Sequence, residues 1–66
     1  MTDEQYWALI ELAKTQLLLT ERESHWRLYI EGITDLAYAI GDFETMSRLY
    51  TRLSLMWEQK RLEGMI

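Results

Sequence analysis

The sequence predicts an all-α protein, an antiparallel bundle of three helices. Proline is absent and glycine occurs three times in 66 residues, which is too few turn-forming residues for a β-sandwich or a loop-rich chain. In three successive segments, apolar residues recur at the spacings of three and four that place them on one helix face. The connections between these segments are short, which favours antiparallel neighbours. Residues 1–66 are expected to form one domain.

The first helix is predicted over about residues 3–18. Thr2 followed by Gln5 has the spacing of a capping box, in which each side chain accepts a hydrogen bond from the backbone N–H of the other residue. The apolar stripe that should face the core consists of Tyr6, Leu9, Ile10, Ala13 and Leu17.

The second helix is predicted over about residues 21–40. Thr20 with Glu23 has the spacing of a second capping box and indicates a new start near Glu21. No glycine or proline marks this break, so one longer, kinked helix is the alternative. The predicted stripe consists of Trp26, Ile30, Ile33, Ala37 and Ile40, widened by Tyr29 and Leu36.

The third helix is predicted over about residues 43–63. Gly41 is a residue type typical of a helix C-terminus, and Asp42 is typical of an N-cap. The second helix should therefore end here and the third begin, so that the two fold back on each other. Gly64 is expected to end the third helix. One face carries Met46, Leu49, Tyr50, Leu53, Met56, Trp57 and Lys60.

A chain of this size has marginal stability and usually gains more from disulfides, a metal or a partner. Cysteine is absent, which excludes disulfides and thiolate metal sites. The acidic start, without an apolar segment after it, is unlike a signal peptide, and no apolar run approaches the roughly 20 residues that span a bilayer. We therefore expect a cytoplasmic protein without a membrane segment, stabilised by association as a homodimer or higher oligomer.

Several apolar side chains fall outside the three stripes, and a monomer would leave them in water. They are Trp7, Leu18, Leu19, Leu28, Phe43, Leu55 and Leu62. A contiguous exposed apolar patch usually marks an interface. Trp7 is the preferred anchor, because tryptophan, tyrosine and arginine are enriched in binding hot spots. The predicted partner-binding residues are Trp7, Leu18, Phe43, Leu55, Leu62, Glu11, Arg48 and Arg52.

The sequence offers little support for catalysis. His25 is the only histidine, and Glu21 one turn earlier is its only nearby orienting acid; a pair of this kind is common on exposed helix faces. Glu31 and Asp35 share a helix face but lack the Glu-x-x-His pairs of di-iron bundles. Phosphate loops and nucleophile elbows are also absent. We expect a protein that is not an enzyme and needs no cofactor or metal.

The net charge of −4 is unevenly distributed. Residues 1–45 contain nine acids and three bases, and residues 46–66 contain four bases and two acids. An acidic chain is repelled by phosphate backbones, which disfavours direct nucleic-acid binding. Two nucleic-acid-linked alternatives remain. Because Arg48 and Arg52 share one helix face, the chain could be a helix-turn-helix regulator. Because the first two helices are acidic, it could instead be a DNA mimic that occupies a basic groove of a DNA-binding protein.

The segment from Thr34 to Leu53 resembles the IDEAL domain, a short helical hairpin found in proteins of low-GC Gram-positive bacteria. The matching positions are Asp35, Ala37, Gly41, Asp42, Glu44, Leu49 and Leu53. Met46 stands where the family often has phenylalanine, and Thr34 and Leu36 depart from its pattern. The Gly-Asp-Phe-Glu turn is also similar to the turn of a single tetratricopeptide repeat. The resemblance implies a bacterial or bacteriophage regulatory or adaptor module without catalysis.

These observations together predict a small interaction protein, such as a regulator, inhibitor or adaptor. It would bury an apolar helix face in a partner protein, with acidic residues steering the encounter. A structural subunit of a larger assembly is a further alternative.

Overall fold

The computed structural model describes residues 1–64, which form three α-helices: α1 (Asp3–Leu19), α2 (Glu23–Ala39) and α3 (Phe43–Leu62). None of these residues forms a strand. The predicted all-α class and three-helix bundle are therefore confirmed, with helix ends within three residues of those expected from the sequence.

The third helix is the central one. The N-terminal ammonium group of Met1 lies 2.9 Å from Asp42 Oδ2, so α1 and α3 begin at the same end of the bundle. Trp26, near the start of α2, donates its indole N–H to the carbonyl of Leu53, in the second half of α3, over 2.9 Å. Helix α2 is therefore antiparallel to α1 and α3. Both α1 and α2 pack on α3, α2 more extensively, and they contact each other little.

The beginnings of α1 and α3 follow the sequence signals. The Thr2 hydroxyl accepts the Gln5 N–H over 3.1 Å and the Gln5 side chain accepts the Thr2 N–H over 2.9 Å, which completes the predicted capping box. Asp42 caps α3 by accepting the N–H of Thr45, and Gly41 before it has a positive φ of 78°. The Thr45 hydroxyl donates to Asp42 Oδ2 over 2.7 Å, and this hydrogen bond, with those from the N-terminal ammonium group and the Thr45 N–H, lowers the Asp42 pKa to about 2.

The break between α1 and α2 differs from the prediction. The hydroxyl of Thr20 donates to the carbonyl of Gln16 over 2.7 Å, so Thr20 ends α1 instead of beginning α2, and the predicted capping box with Glu23 is wrong. Helix α2 begins after Arg22 without a side-chain cap. Buried Lys60 of α3 donates its ammonium N–H groups to the carbonyls at the end of α1, including that of Thr20 over 2.6 Å.

The core lies where α1 and α2 both face α3. Its side chains are Tyr6, Ile10, Ala13, Trp26, Ile30, Ala37, Leu49, Leu53, Met56 and Trp57, flanked by half-buried Leu9, Leu17, Tyr29, Ile33 and Met46. Trp26 is 1% exposed, and its ring stacks at 5.1 Å from that of Tyr29 and 6.3 Å from that of Trp57.

Three residues of the predicted stripes are exposed. Leu36 and Tyr50 lie at the edges of their stripes, beyond the reach of the neighbouring helix. Ile40 follows the last residue of α2 and is also exposed. The apolar surface left in water is therefore larger than the sequence predicted.

Candidate partner-binding surface

Residues 1–64 expose more large apolar side chains than they bury. The exposed set contains all seven side chains that were named above as lying outside the predicted stripes. Their exposure confirms that the bundle does not hide its whole apolar content, although exposure alone does not assign them a partner.

Six of the eight predicted binding residues lie along the side where α1 packs on α3, here called the α1–α3 surface. On α1, Trp7, Glu11 and Leu18 recur at spacings of four and seven, so they share one flank of that helix. On α3, the contributing residues are Arg48, Arg52 and Leu55. Two shallow grooves cross this side, of about 370 and 420 Å³. Leu18 lines the first and Leu55 the second, and Arg52 lines both.

Two arginines of α3 lie over aromatic rings of α1. The Arg48 guanidinium carbon is 4.2 Å from the centre of the Tyr6 ring, and that of Arg52 is 5.7 Å from the centre of a Trp7 ring. Tyr6 and Trp7 themselves meet edge to face with their centres 5.2 Å apart. The Arg48 guanidinium also approaches Asp3 at 3.7 Å. Cation–π contacts of this kind hold each guanidinium in place while leaving polar edges open.

The other two predicted residues lie elsewhere. Leu62 is 78% exposed and continues the line of Leu55 two turns later along α3, at the end of the helix. Phe43 lies at the turn between α2 and α3, where its ring meets that of Tyr38 edge to face at 5.4 Å. Phe43 therefore belongs to a different part of the surface from Trp7.

The side chains considered for catalysis are all exposed: His25, Glu21, Glu31 and Asp35. His25 is exposed and makes no ion pair with Glu21. Within residues 1–64, no three histidine, aspartate or glutamate side chains are grouped closely enough to hold a metal ion. A groove of about 450 Å³ between α2 and α3 is lined by Trp26, Trp57 and Tyr50 and by the acids Glu23, Glu31 and Glu58.

Sequence reasoning missed several exposed apolar residues. Leu12 belongs to no predicted stripe, yet it lies three residues after Leu9, and this spacing could have placed it on the same flank of α1. Leu36 and Ile40 were assigned to the core, and the sequence contains no signal that separates them from buried neighbours.

Comparison of the chain with protein-family models, with curated proteins and with solved structures finds no match. Within the part of the chain that the structure describes, none of the helices has the length and apolar content needed to cross a membrane.

Proposed function

We propose that this chain is a small non-catalytic interaction module, a regulator, inhibitor or adaptor, that binds a partner protein through its α1–α3 surface. The observation that supports this proposal best is the pairing of Trp7 and Tyr6 with Arg52 and Arg48 on that surface. Tryptophan, tyrosine and arginine dominate the binding energy of protein interfaces, and here they lie side by side. The bacterial or bacteriophage origin and the cytoplasmic location implied by the sequence belong to the same proposal.

The arrangement limits the cost of binding. Trp7 is 48% exposed, so a large part of its ring remains available to a partner, while its contacts with Tyr6 and Arg52 hold it in one position. A side chain that is already ordered loses less conformational entropy on association. Leu18 and Leu55 add apolar area to either side, which would exclude water from the centre of the contact.

Charge favours a partner of particular composition. At the contact, Arg48 and Arg52 offer N–H donors to carboxylates or backbone carbonyls of the partner. At longer range, the net charge of −4 attracts a protein with a basic surface and raises its rate of association. Glu31 and Asp35, two of the acids on α2, make no ion pair with any residue of the described chain and contribute to this field.

The test is capture of partners from a bacterial lysate by the immobilised wild type and by two variants. Trp7→Ala removes the proposed anchor. Tyr50→Ala is the matched control, because Tyr50 is an exposed aromatic residue that lines the groove between α2 and α3. We expect a protein that is retained by the wild type and by Tyr50→Ala and is lost with Trp7→Ala.

The purified partner should then bind Trp7→Ala at least about 10-fold more weakly by calorimetry, as expected for loss of a hot-spot side chain. Circular dichroism must show that the variant remains folded. Capture that does not distinguish the three proteins would refute the α1–α3 surface as the binding site. A salt-sensitive shift of duplex DNA that depends on Arg48 and Arg52 would favour the helix-turn-helix alternative instead.

A further inference from the structure

The bundle has a second side, between α1 and α2. On α1, Trp7 and Leu18 occupy the flank beside Arg52 of α3, so Leu9 and Leu12 occupy the opposite flank, toward α2. Because α1 and α2 contact each other little, these residues are not covered by the neighbouring helix.

The flank of α2 that faces α1 can be identified in the same way. Arg27 and Glu31 line the groove shared with Tyr50 of α3, so they lie on the far side of α2. The opposite flank, toward α1, carries Tyr29 and Leu36, with Gly32 between them.

We call this side the α1–α2 surface. It consists of Leu9, Leu12, Gln16 and Leu19 from α1, and His25, Tyr29, Gly32, Leu36 and Ile40 from the α2 segment.

None of the nine residues of the α1–α2 surface is an acid, a lysine or an arginine. The other two sides of the bundle differ in this respect. The α1–α3 surface carries Glu11, Arg48 and Arg52, and the groove between α2 and α3 carries Arg27 and Glu31 among other charges. Burying charged side chains in an interface costs desolvation energy, and the centres of homodimer interfaces are accordingly poor in charge. Two copies that each carry a net charge of −4 would meet with the least penalty through this side.

We propose that the α1–α2 surface binds the same surface of a second copy, so that α1 and α2 of each copy form a four-helix contact around a twofold axis. The spacings of its residues, four and three along each helix, are those of antiparallel and parallel helix pairs in bundles. A twofold contact is the commonest arrangement for a homo-oligomer and uses one patch on both copies.

The available area suits a dimer. The leucines and the isoleucine of this surface, apart from half-buried Leu9, are between 56% and 74% exposed. If each of these four exposes about 100 Å² of apolar area, together they supply roughly 400 Å², about half of the roughly 800 Å² that each partner contributes to a standard interface. Half-buried Leu9 and Tyr29, together with Gln16, add to this area.

One detail suits close contact with another helix pair. A Cβ atom built on Gly32 would meet nothing within 4 Å, so this position leaves room for an approaching backbone.

The test is the mass in solution of the full chain and three variants, measured by sedimentation equilibrium across a range of concentrations. The wild type should reach twice its chain mass of 8.0 kDa at micromolar concentration. Leu12→Glu and Leu36→Glu should raise the dissociation constant of the dimer at least 100-fold and remain helical by circular dichroism. Leu62→Glu is the control, because Leu62 is more exposed than either and lies on α3.

A wild type that stays at the monomer mass at high concentration would refute the proposal. A dimer that survives both Leu12→Glu and Leu36→Glu, or one that Leu62→Glu disrupts equally, would also refute it, because the contact would then lie elsewhere. The proposal is independent of partner binding at the α1–α3 surface. Trp7→Ala should leave the mass unchanged, so the two proposals can fail separately.

Discussion

Replacing Lys60 by methionine should test how the end of α1 is held. Lys60 is 7% exposed, and its ammonium group donates to the carbonyls of Leu17 and Thr20 on α1. The Thr20 carbonyl follows the last residue of α1 and lies beyond the hydrogen bonds of the helix, whereas the Leu17 carbonyl also accepts the N–H of Thr20. Lys60 therefore acts as a C-terminal cap for α1, supplied by another helix. Lys60→Met keeps most of the apolar stem of the side chain and removes the ammonium group, together with its contact 5.7 Å from the centre of the Trp57 ring.

The expected loss follows from these two hydrogen bonds. A hydrogen bond from a charged group contributes about 1.5–3 kcal/mol, and the desolvation of the ammonium group offsets part of the total. The Leu17 carbonyl keeps the N–H of Thr20 at 3.2 Å after the substitution, whereas that of Thr20 loses its donor from Lys60. We expect Lys60→Met to lower the free energy of unfolding by about 2–3 kcal/mol, out of a total of roughly 3–10 kcal/mol for a chain of this length.

Urea unfolding, followed by tryptophan fluorescence and circular dichroism, would measure the loss. Because self-association also stabilises the folded state, the variants should be compared at one chain concentration. Arg61→Met is the matched control, since Arg61 lies next to Lys60 and pairs with Glu58 on the exposed face over 2.7 Å. An exposed ion pair contributes little, so this variant should unfold close to the wild type. Hydrogen exchange should quicken at the end of α1 in Lys60→Met alone. If the two variants unfold at the same urea concentration, Lys60 is not the cap that its geometry indicates.

Three further predictions concern the start of α3 and the core. The folded pKa of Asp42 is lowered to about 2 from 3.8, so its contribution to stability is complete above about pH 4 and lost as the pH falls toward 2. Asp42→Ala should remove part of the acid sensitivity of the urea midpoint, and an unchanged pH dependence would contradict this assignment. Gly41→Ala should cost about 1–2 kcal/mol of unfolding free energy because φ is 78° there. Gly41→Asn should cost less, since asparagine tolerates left-handed backbone; equal losses would show that φ is not the cause. Trp26→Phe should lower the unfolding free energy by about 2 kcal/mol, because the hydrogen bond to Leu53 and part of the core volume are lost. A variant that unfolds at the same temperature as the wild type would contradict this expected loss.

Features that depend on a few neighbouring residues could be predicted from the sequence. The caps at Thr2 and Asp42 each involve a side chain and a backbone N–H three positions later, so a short window contains both partners. Gly41 supplies the left-handed backbone that the turn before α3 requires. The helix beginnings at these two places were therefore correct to the residue.

The end of α1 could not be predicted in the same way. Its carbonyls are capped by Lys60, which lies 40 positions after Thr20 in the sequence. A local reading assigned Thr20 to the start of the next helix, since it has the residue type and spacing of an N-cap. Local spacing alone cannot show that a distant lysine makes a helix end possible.

Which flanks of the helices are exposed is also determined by how the helices pack. Leu36 continues the apolar pattern of α2 as well as Ala37 does, yet it is 72% exposed while Ala37 is buried. The difference arises because α1 and α2 both pack on α3 and leave the side between them uncovered. Which flank is covered depends on how the three helices are arranged around each other, and hydrophobic periodicity does not specify that arrangement.

Helix α1 connects the two proposed surfaces, because opposite flanks of it carry Trp7 and Leu12. It packs on α3 less extensively than α2 does, so its position is the least constrained of the three helices. A second copy bound at the α1–α2 surface would restrict α1 and thereby order Trp7 before a partner arrives, which lowers the entropy cost of binding. Linkage requires the reverse effect as well, so a partner at the α1–α3 surface would strengthen the dimer by the same factor. The substitution Leu36→Glu should then weaken partner binding, although Leu36 lies on α2 and is not part of the α1–α3 surface. Equal affinity of the wild type and Leu36→Glu for the captured partner would show that the two surfaces act independently.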